Sequence, residues 1–339
     1  MTQPNTLRAD DNTSWFIPQA CFFCGSERLE PWLDGISDRL GYVPGSWSFL
    51  RCADCGSAHL APMPRPDIIP ELYPEVYSFR ADMETEGRVK GALASLEKKL
   101  FYRLTHKNEV ATIRRYTGLS SGKLLDVGCG PGDRLSRLAE AGFSVRGMEI
   151  QPELVEYVRE RLGFEADTGT LDSVAYPPES FDIVTSHWVL EHLLDVRAAL
   201  EKVHDMLKPN GWFVAEVPLA DSLQVSMLGR RWSQFSEAPR HMAIPSQEGV
   251  RRAFTASGFC DIKFVPSSIL DCSGIFGLSV IPSASTTHTY KSSSLLAHAP
   301  RIAGGLLVAL HVPLAAVENH LLHRPAGSLV FARKRPGSG

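Results

Sequence analysis

Apolar and polar positions in the middle of the chain follow two alternating periods. Short apolar runs are each followed by a longer stretch in which apolar residues recur at helical spacing, and this pattern predicts strands that alternate with helices. Such alternation indicates an α/β fold with a doubly wound parallel sheet, whose ligands bind at the carboxyl ends of the strands. The predicted elements are strand 123–128, helix 132–141, strand 144–150, helix 152–162, strand 164–167, strand 181–186, helix 195–207 and strand 211–217.

The turn after the first predicted strand is rich in glycine. Residues 124–132 read LLDVGCGPG, with glycine at 128, 130 and 132. A turn that joins a buried strand to a helix needs backbone angles and close approaches that a side chain would block. Glu149 ends the next strand, 21 residues after Gly128, where a carboxylate can accept hydrogen bonds from both hydroxyls of a ribose. This layout predicts a site for an adenosine-containing ligand.

The residues around this turn favour one class of ligand over another. Dinucleotide-binding enzymes usually carry the pattern G-x-G-x-x-G, with the amino terminus of a helix facing a pyrophosphate. Here the pattern is G-x-G-x-G, and Asp126 precedes it. An acid at the mouth of the turn would repel a pyrophosphate, but it suits a ligand that has an amino group and a sulfonium. The turn therefore favours S-adenosylmethionine over NAD.

Together with three later blocks, this turn resembles the class I S-adenosylmethionine-dependent methyltransferases. The blocks are SFDIVT, similar to the family's fourth strand, VLEHL, similar to the segment after it, and LKPNGWF, similar to the turn into the fifth strand. The resemblance covers about residues 120–265 and implies an enzyme with a Rossmann-like methyltransferase sheet. Residues 246–257 and 259–265 are similar to the family's last helix and strand unit, and 327–332 would form an antiparallel last strand. The alternative is an unrelated nucleotide fold, or a methyltransferase fold without activity.

The resemblance also implies which residues contact the donor. Thr170 and Leu171 follow the third strand, where the family often contacts adenine, and His187 comes at the tip of the fourth strand, directly after 181–186. The expected donor-binding residues are Asp126, Gly128, Gly130, Gly132, Glu149, Thr170, Leu171 and His187.

Three histidines are candidates for a general base. Methyl transfer from a sulfonium needs an aligned acceptor and usually a group that removes the acceptor's proton, and histidine suits that task near neutral pH. His241 ranks first because its polar segment is neither clearly helix nor strand, and functional residues are common in loops. His187 stands at a strand tip, and His192 lies near the start of a helix. For each, the alternative is a local hydrogen bond or a place in the pocket wall, and an already nucleophilic acceptor needs no base.

Four of the seven cysteines form two matching C-x-x-C-G motifs. Cys21 and Cys24 make one motif, and Cys52 and Cys55 make the other. Each motif places two thiolates on one tight turn, so the pair predicts a structural zinc ribbon over residues 15–60. The 27 residues between the motifs exceed the usual ribbon spacing of about 15–20, which predicts an enlarged hairpin. A disulfide or redox pair is the alternative.

Charge makes nucleic acid an unlikely partner. The formal net charge is −3 for the chain, and three arginines against five acids give −2 for residues 15–60. An acidic ribbon binds phosphates poorly, so we interpret it as structural or as one wall of the acceptor pocket.

The amino-terminal residues lack a basic segment followed by an apolar one, and the expected location is therefore the cytoplasm.

The remaining segments surround this core. A proline-rich connector with amphipathic helices is predicted over 61–119, and the methyltransferase domain over 120–335, with insertions at about 219–245 and 267–325. Long ordered loops at an active face are usually functional. Arginines beside an aromatic residue in the first insertion would suit an anionic small-molecule acceptor, such as a sugar nucleotide or a carboxylate; a solvated loop is the alternative. The candidate acceptor-binding residues are Arg230, Arg231, Trp232 and Arg240.

Residues 302–317 in the second insertion are almost wholly apolar. The run is shorter than the roughly 18–20 residues that span a bilayer. It predicts a helix that covers the sheet or forms a homodimer contact. The alternative is an interfacial helix that brings the enzyme to a lipid-linked acceptor at a membrane surface.

These patterns leave several function classes open. The first is methylation of a small molecule, at oxygen before other atoms, in secondary metabolism or cell-surface glycan synthesis. Sugar C-methyltransferases also begin with a zinc module, but they usually have a larger carboxyl-terminal domain. The remaining classes are an RNA methyltransferase that uses the ribbon as a grip and a ligand-binding or scaffold protein without turnover.

Overall fold

The computed structural model describes residues 14–73, 109–282 and 295–335. Most of the predicted connector, and residues 283–294 of the second insertion, lie outside these residues. The strands are β1 (Trp15–Phe16), β2 (Leu29–Ile36), β3 (Trp47–Cys52), β4 (Ala58–Ala61), β5 (Met63–Pro64), β6 (Gly122–Val127), β7 (Phe143–Glu149), β8 (Glu165–Thr168), β9 (Phe181–His187), β10 (Leu207–Pro218), β11 (Ala243–Ile244), β12 (Phe259–Pro266) and β13 (Gly327–Lys334).

The α-helices alternate with strands through the centre of the chain. They are α1 (Glu109–Thr117), α2 (Asp133–Glu140), α3 (Pro152–Tyr157), α4 (Val196–Met206), α5 (Leu223–Leu228), α6 (Gln247–Ala256), α7 (Ile269–Val280) and α8 (Leu295–His320). A π-helical turn, Val158–Leu162, continues α3, and short 3-10 helices occupy Pro66–Leu72, Leu190–His192 and Gly229–Arg231.

The chain forms two compact units, and the one with the larger sheet comprises His106–Val217, Glu248–Val265 and Ser328–Gly339. Its seven strands lie in the order β12-β13-β10-β9-β6-β7-β8. The pairs β10–β9, β9–β6, β6–β7 and β7–β8 are parallel, and the final strands are antiparallel. The doubly wound Rossmann-like sheet predicted from the sequence is confirmed.

The order of strands gives this sheet a topological switch point between β6 and β9. The chain leaves β6 for β7 on one side and returns through β9 on the other side. Ligands bind at such a switch point, outside the carboxyl ends of the strands. Val127, the last residue of β6, is opposite Met148 of β7 and Ser186 of β9. The glycine turn therefore starts at the switch point.

Apolar side chains explain why these strands lie inside. Leu124 and Leu125 of β6, and Ile183 and Val184 of β9, are all fully buried. Neighbouring residues of a strand point to opposite faces, so both faces of the sheet are covered, as parallel sheets require. Helix α4 begins where the Asp195 side chain accepts a hydrogen bond from the amide of Ala198, a typical amino-terminal cap.

Among the strands of the larger sheet, the start of β10 differs most from the sequence prediction. Strand β10 begins at Leu207, four residues before the predicted start, and its register against β9 shifts between Leu207 and Trp212. Asn210 has φ 65°, and a Cβ on Gly211 would lie 2.9 Å from the carbonyl oxygen of Lys208. The Lys-Pro-Asn-Gly turn is thus an irregularity within the strand rather than a connection before it.

The other unit comprises Met1–Thr105, Pro218–Gln247 and Pro266–Gly327. Its main sheet has the order β11-β4-β3-β2, with antiparallel pairs throughout, and β1 pairs with β5. Strand β11 comes from the predicted insertion at 219–245. Residues that the sequence analysis assigned to the ribbon and to the methyltransferase domain therefore share one sheet.

Helices α7 and α8 pack together in this unit. A Cβ on Gly277 would lie 3.0 Å from Cγ2 of Val308 and 3.4 Å from the carbonyl oxygen of Gly304, so glycine allows the two backbones to approach closely. Helix α8 has 26 residues, ten more than the predicted apolar run.

Candidate donor-binding site and candidate metal centre

The glycine turn after β6 needs glycine for two reasons. Gly128, Gly130 and Gly132 have φ values of 75°, 54° and 82°, which lie in the left-handed region that side chains disfavour. An added Cβ would also lie 2.5 Å from Cγ2 of Val189 at Gly128, and 2.6 Å from Cδ1 of Leu162 at Gly132. The turn can therefore form only without side chains at these positions.

Glu149 fixes the turn from the tip of β7. Its Oε2 accepts a hydrogen bond from the amide of Gly130 at 3.0 Å, and its Oε1 accepts from the amides of Ile150 and Gln151 at 2.8 and 3.2 Å. Burial raises the pKa of this carboxyl, whereas the three amides lower it. Each carboxylate oxygen can accept more than one hydrogen bond, so the arrangement is compatible with additional bonds from ribose hydroxyls.

Asp126 lies beneath the turn and is fully buried. The Thr185 hydroxyl donates to its Oδ1 at 2.7 Å, but among the described residues its Oδ2 has no hydrogen-bond partner. Burial raises the pKa of the Asp126 carboxyl, and electrostatic interaction with the nearby Arg134 and His187 lowers it. A buried acceptor atom without a partner is unfavourable, and a cationic ligand would satisfy it.

His187, the last residue of β9, lies between two acids. Its Nδ1 donates a hydrogen bond to Oε2 of Glu216 at 3.0 Å, and its Nε2 is 3.5 Å from Oε1 of Glu109. The Arg134 Nε donates to the same Glu109 oxygen at 2.6 Å. All four side chains are buried. This network orients the imidazole. It also offsets the negative charge of the two carboxylates, because both lie beside the guanidinium or the imidazole.

Glu191 is a buried acid that the sequence analysis did not select. It lies in the 3-10 turn Leu190–His192 after β9, is completely buried, and neither carboxylate oxygen has a hydrogen-bond partner among the described residues. Burial raises the pKa of Glu191 to about 8, and the charge of Glu216 adds to the effect. Its only sequence signal was its place beside His192, behind a strand tip.

Trp188, two residues after Ser186, has φ 56°, and such strained residues cluster at functional sites.

The other residues expected near the donor are at the same edge of the sheet. Thr170 follows β8, where Thr168 is opposite Glu149. The Thr170 amide donates to the Ser173 hydroxyl at 2.8 Å and its side chain is exposed, while Leu171 is half-buried.

The first insertion provides fewer acceptor-binding candidates than expected. Arg240 is fully buried and ion-paired with Asp38, and Trp232 is fully buried with its indole N–H donating to Gln224. These two side chains hold their own unit together because each is enclosed with a partner, which differs from the predicted contact with an anionic acceptor. Arg230 and Arg231 are exposed. The His241 Nδ1 donates to the carbonyl oxygen of Gln234 at 2.8 Å, a local bond of the kind that a histidine without a catalytic role would make.

The four motif cysteines converge on one point. Their sulfur atoms all lie within 4.8 Å of one another, with 3.5 Å between Cys21 and Cys55 and between Cys24 and Cys52. A tetrahedral zinc with Zn–S bonds of about 2.3 Å places its sulfur ligands roughly 3.8 Å apart. Burial raises the pKa of the Cys24 thiol to about 11, whereas the hydrogen bond from Cys21 lowers the pKa of Cys55 to about 5. Four thiolates this close would repel one another, and a bound cation would offset that repulsion. The donor set therefore fits a zinc ion.

His59 adds a neighbour to this centre that the sequence analysis missed. Its Nε2 is 3.3 Å from Sγ of Cys21, and the ring is fully buried with Phe22 packed edge-on at 5.2 Å. An imidazole N–H that donates to a thiolate orients the sulfur and stabilises its charge. The second cysteine motif also contacts the residue that follows the first insertion, since the Ser246 hydroxyl donates to the carbonyl oxygen of Cys55.

Comparison with known proteins identifies the domain that carries the larger sheet. Residues 97–263 match a family model described as a methyltransferase domain. The ubiquinone biosynthesis O-methyltransferase of Bradyrhizobium diazoefficiens is 30% identical over 160 residues, which cover 44% of this chain and 59% of that protein. The enzyme of the same name from Bradyrhizobium sp. is 30% identical over 176 residues, covering 48% and 65%. This chain therefore spans less than two thirds of the length of either relative.

Among solved structures, phosphoethanolamine N-methyltransferase 2 of Haemonchus contortus in complex with S-adenosyl-L-methionine aligns with a TM-score of 0.49. The alignment has 17% identity and covers 82% of this chain and 63% of that chain. The family match, joined to the strand order and the glycine turn described above, supports a class I, S-adenosylmethionine-dependent methyltransferase domain over residues 97–263, just under half of the chain.

Proposed function

We propose that this protein transfers a methyl group from S-adenosylmethionine to a small-molecule acceptor. The observation that carries the proposal is the pair of carboxyls at the switch point: Asp126, with a buried oxygen that has no partner in the described part of the chain, and Glu149 at the tip of β7. Asp126 would accept from the donor's ammonium group, and Glu149 would accept from its ribose hydroxyls, while the glycine turn leaves room for the backbone to approach the ligand. When bound, S-adenosylmethionine supplies an electrophilic methyl group on a sulfonium.

His187 is our candidate for the group that takes the acceptor's proton. Glu216 accepts the proton on Nδ1, which leaves the lone pair on Nε2, and the carboxylates on both sides stabilise the imidazolium that forms. With the donor bound, Nε2 of His187 would take the hydroxyl proton of an acceptor whose oxygen would receive the methyl group, while the sulfur would keep the electron pair of the broken carbon–sulfur bond. His192 and His241 remain alternatives for this role.

The acceptor is most simply a small molecule methylated at oxygen. The two Bradyrhizobium relatives are O-methyltransferases by name, and the exposed side chains of Arg230 and Arg231 would suit an acceptor with negative charge. A sugar C-methyltransferase, an RNA methyltransferase and a binding protein without turnover are the competing functions. The acidic ribbon argues against RNA. We place the protein in the cytoplasm.

We propose that zinc at the four cysteines has a structural role. All four positions of a tetrahedral ion would be taken by Cys21, Cys24, Cys52 and Cys55, which leaves no open position for a substrate. Three of the four cysteines are buried, and the centre would tie together the turn before β2 and the turn after β3, two strands that pair with each other.

A labelled methyl group would distinguish the competing functions. The full chain is incubated with S-adenosylmethionine labelled in its methyl group and a cell extract, and the products are separated into small molecules, lipids, RNA and protein. We expect label in small molecules or lipids, together with stoichiometric S-adenosylhomocysteine. Label in RNA would favour the alternative of an RNA methyltransferase that binds RNA through its ribbon. Binding of S-adenosylmethionine without any transfer would support a protein without turnover, and absence of binding would overturn the proposal.

A further inference from the structure

The chain leaves β9 through a residue type that rarely adopts the backbone conformation found there. Trp188 directly follows the last residue of β9 and has φ 56°, a left-handed conformation that costs free energy for bulky residues and not for glycine. Its amide donates to the carbonyl oxygen of Glu216 at 2.9 Å, and the next residue, Val189, occupies the space beside Gly128. Since glycine would form the same corner without this cost, the backbone gives no reason for a tryptophan here.

The fold makes little use of the Trp188 indole. Of the six tryptophans in the chain, the others all have a ring or cation–π contact among the described residues. Trp15 and Trp47 lie 6.1 Å apart, Trp32 and Trp232 contact Phe235 at 5.4 and 5.1 Å, and Trp212 lies 6.0 Å from the guanidinium of Arg333. Within the same part of the chain, Trp188 is half-buried and has no such contact and no hydrogen bond from its indole N–H. Its ring is therefore available to a ligand.

Trp188 also lies where the proposed reaction would take place. It follows His187, our candidate for the group that takes the acceptor's proton, at the carboxyl end of β9 beside the switch point. On its other side, Val189 adjoins the glycine turn of the donor site. Trp188 is thus flanked along the chain by residues assigned to both partners of the reaction, which must be aligned with each other for methyl transfer.

The chemistry of an indole restricts what it can recognise. Its flat apolar face packs on another ring, while its N–H can donate to a polar substituent of that ring. Tryptophan provides this large contact area with only two side-chain torsions to immobilise. An acyclic acceptor would offer no flat face to the indole.

We propose that the acceptor carries a ring beside the oxygen that is methylated, and that this ring packs on the indole face of Trp188. The inference rests on the proposed methyl transfer and adds the class of its acceptor. A phenol and a sugar both provide a ring face, and the identity of the methylated product distinguishes these two sources. Trp188 is then a residue that determines which acceptor binds, whereas His187 takes part in the chemistry.

The test compares the wild type with two variants that share its backbone cost. Trp188→Leu keeps an apolar side chain but removes the flat ring, and Trp188→Phe keeps a ring. Each full chain is incubated with S-adenosylmethionine labelled in its methyl group and with increasing concentrations of a cell extract. We expect Trp188→Leu to raise the extract concentration for half-maximal transfer roughly 3- to 10-fold, the effect of losing an aromatic pair, with a much smaller change in maximal rate. Trp188→Phe should recover most of the affinity.

Two further measurements separate this role from a structural one. The Kd for S-adenosylmethionine, measured by calorimetry, should be the same in all three proteins, because the donor contacts lie at the glycine turn and Glu149. Mass spectrometry of the labelled product should show an aromatic ring or a sugar ring next to the new methyl group.

Three results would overturn the proposal while leaving the proposed function intact. They are a labelled product without a ring, a Trp188→Leu protein with the acceptor affinity of the wild type, and a Trp188→Leu protein whose weaker transfer is matched by weaker binding of S-adenosylmethionine. A wild type that binds S-adenosylmethionine but methylates nothing would overturn the proposed function itself, and this inference with it. The two failures are distinguishable because the first three results require an active wild type.

Discussion

Single buried acids give the clearest chemical information in this molecule. Asp126 and Glu191 both lie at the carboxyl edge of the larger sheet, and both carry oxygens without partners among the described residues. Such groups destabilise a fold unless a ligand or a proton satisfies them. Sequence reasoning identified Asp126 because it precedes the glycine turn. It missed Glu191, because complete burial of a carboxyl cannot be read from a residue type.

Asp126→Asn should weaken the binding of S-adenosylmethionine. A hydrogen bond between charged groups contributes about 1.5–3 kcal/mol, so the Kd should rise roughly 10- to 100-fold, as measured by isothermal titration calorimetry. Asp182→Asn is the control, because Asp182 lies at the opposite end of β9 and accepts from the amide of Lys123. An unchanged Kd in Asp126→Asn would remove this carboxyl from the donor site.

Glu191→Gln should make the free energy of unfolding less dependent on pH. The pKa of Glu191 is about 8 in the folded protein against 4.5 ordinarily, so between these values the folded state holds a proton that the unfolded state releases. Stability is therefore present at low pH and lost as pH rises through this window, by up to about 5 kcal/mol. Urea denaturation at pH 5 and at pH 8 should show that the free energy of unfolding of the variant, relative to that of the wild type, is higher at pH 8 than at pH 5. Equal pH dependence would mean that Glu191 ionises normally.

At the scale of elements, regular apolar periodicity was enough to predict the strands and helices. Local irregularities within them could not be predicted. The strands and helices of the larger sheet follow apolar spacing, so their order and most of their bounds could be predicted. The register shift in β10 and the left-handed Trp188 depend on contacts between strands and turns that are distant in sequence. The glycine turn is an exception, since its irregular backbone is encoded in the residue type itself.

Gly128→Ala should test whether packing or backbone angle governs the glycine turn. The added Cβ would meet Val189 at 2.5 Å, whereas Gly118 has nearly the same φ, 74°, and nothing within 4 Å of an added Cβ. Gly118→Ala should therefore cost only about 1–2 kcal/mol for the left-handed backbone, as measured by urea denaturation. Gly128→Ala should cost about 1–3 kcal/mol more, in the range typical of overpacking, and should lose S-adenosylmethionine binding.

A double variant separates the two causes further. Replacing Val189 with Ala in the Gly128→Ala background removes the clashing methyl group and should recover part of the lost stability. Equal costs at Gly118 and Gly128, or no recovery in the double variant, would show that the contact with Val189 does not constrain the turn.

At the scale of the whole molecule, the division into segments was the weakest sequence prediction. The order of a ribbon motif followed by a methyltransferase suggested modules in series, yet Ala243 and Ile244 pair with His59 and Ala58 of β4. Strand pairing between segments about 180 residues apart leaves no local pattern that a single sequence reveals. Because β11 has only two residues, it also lacks the alternation of apolar and polar positions that usually predicts a strand.

Zinc removal should therefore weaken hydrogen bonds well beyond the cysteines. The carbonyl oxygen of Met242 accepts from the amide of Leu60 at 2.8 Å, and Ser246 bonds to Ser57 and to the carbonyl oxygen of Cys55. Structural zinc contributes about 10–16 kcal/mol to small metal domains, so a chelator or Cys24→Ser should release these contacts. Hydrogen exchange should become faster at Leu60 and over 242–246, while the amides of β6 and β9 in the other unit keep their protection.

Cys260→Ser provides the matched control for this experiment, because Cys260 is partly buried in the other unit and lies outside the cluster. It should keep the zinc content of the wild type, about one ion per chain for a single tetrahedral centre, and unchanged exchange over 242–246. Wild-type protein without zinc, or a Cys24→Ser protein whose exchange matches the control, would mean that the ribbon is held by packing alone. Loss of protection in both units at once would instead mean that zinc supports the entire chain, and the local role argued for it would be wrong.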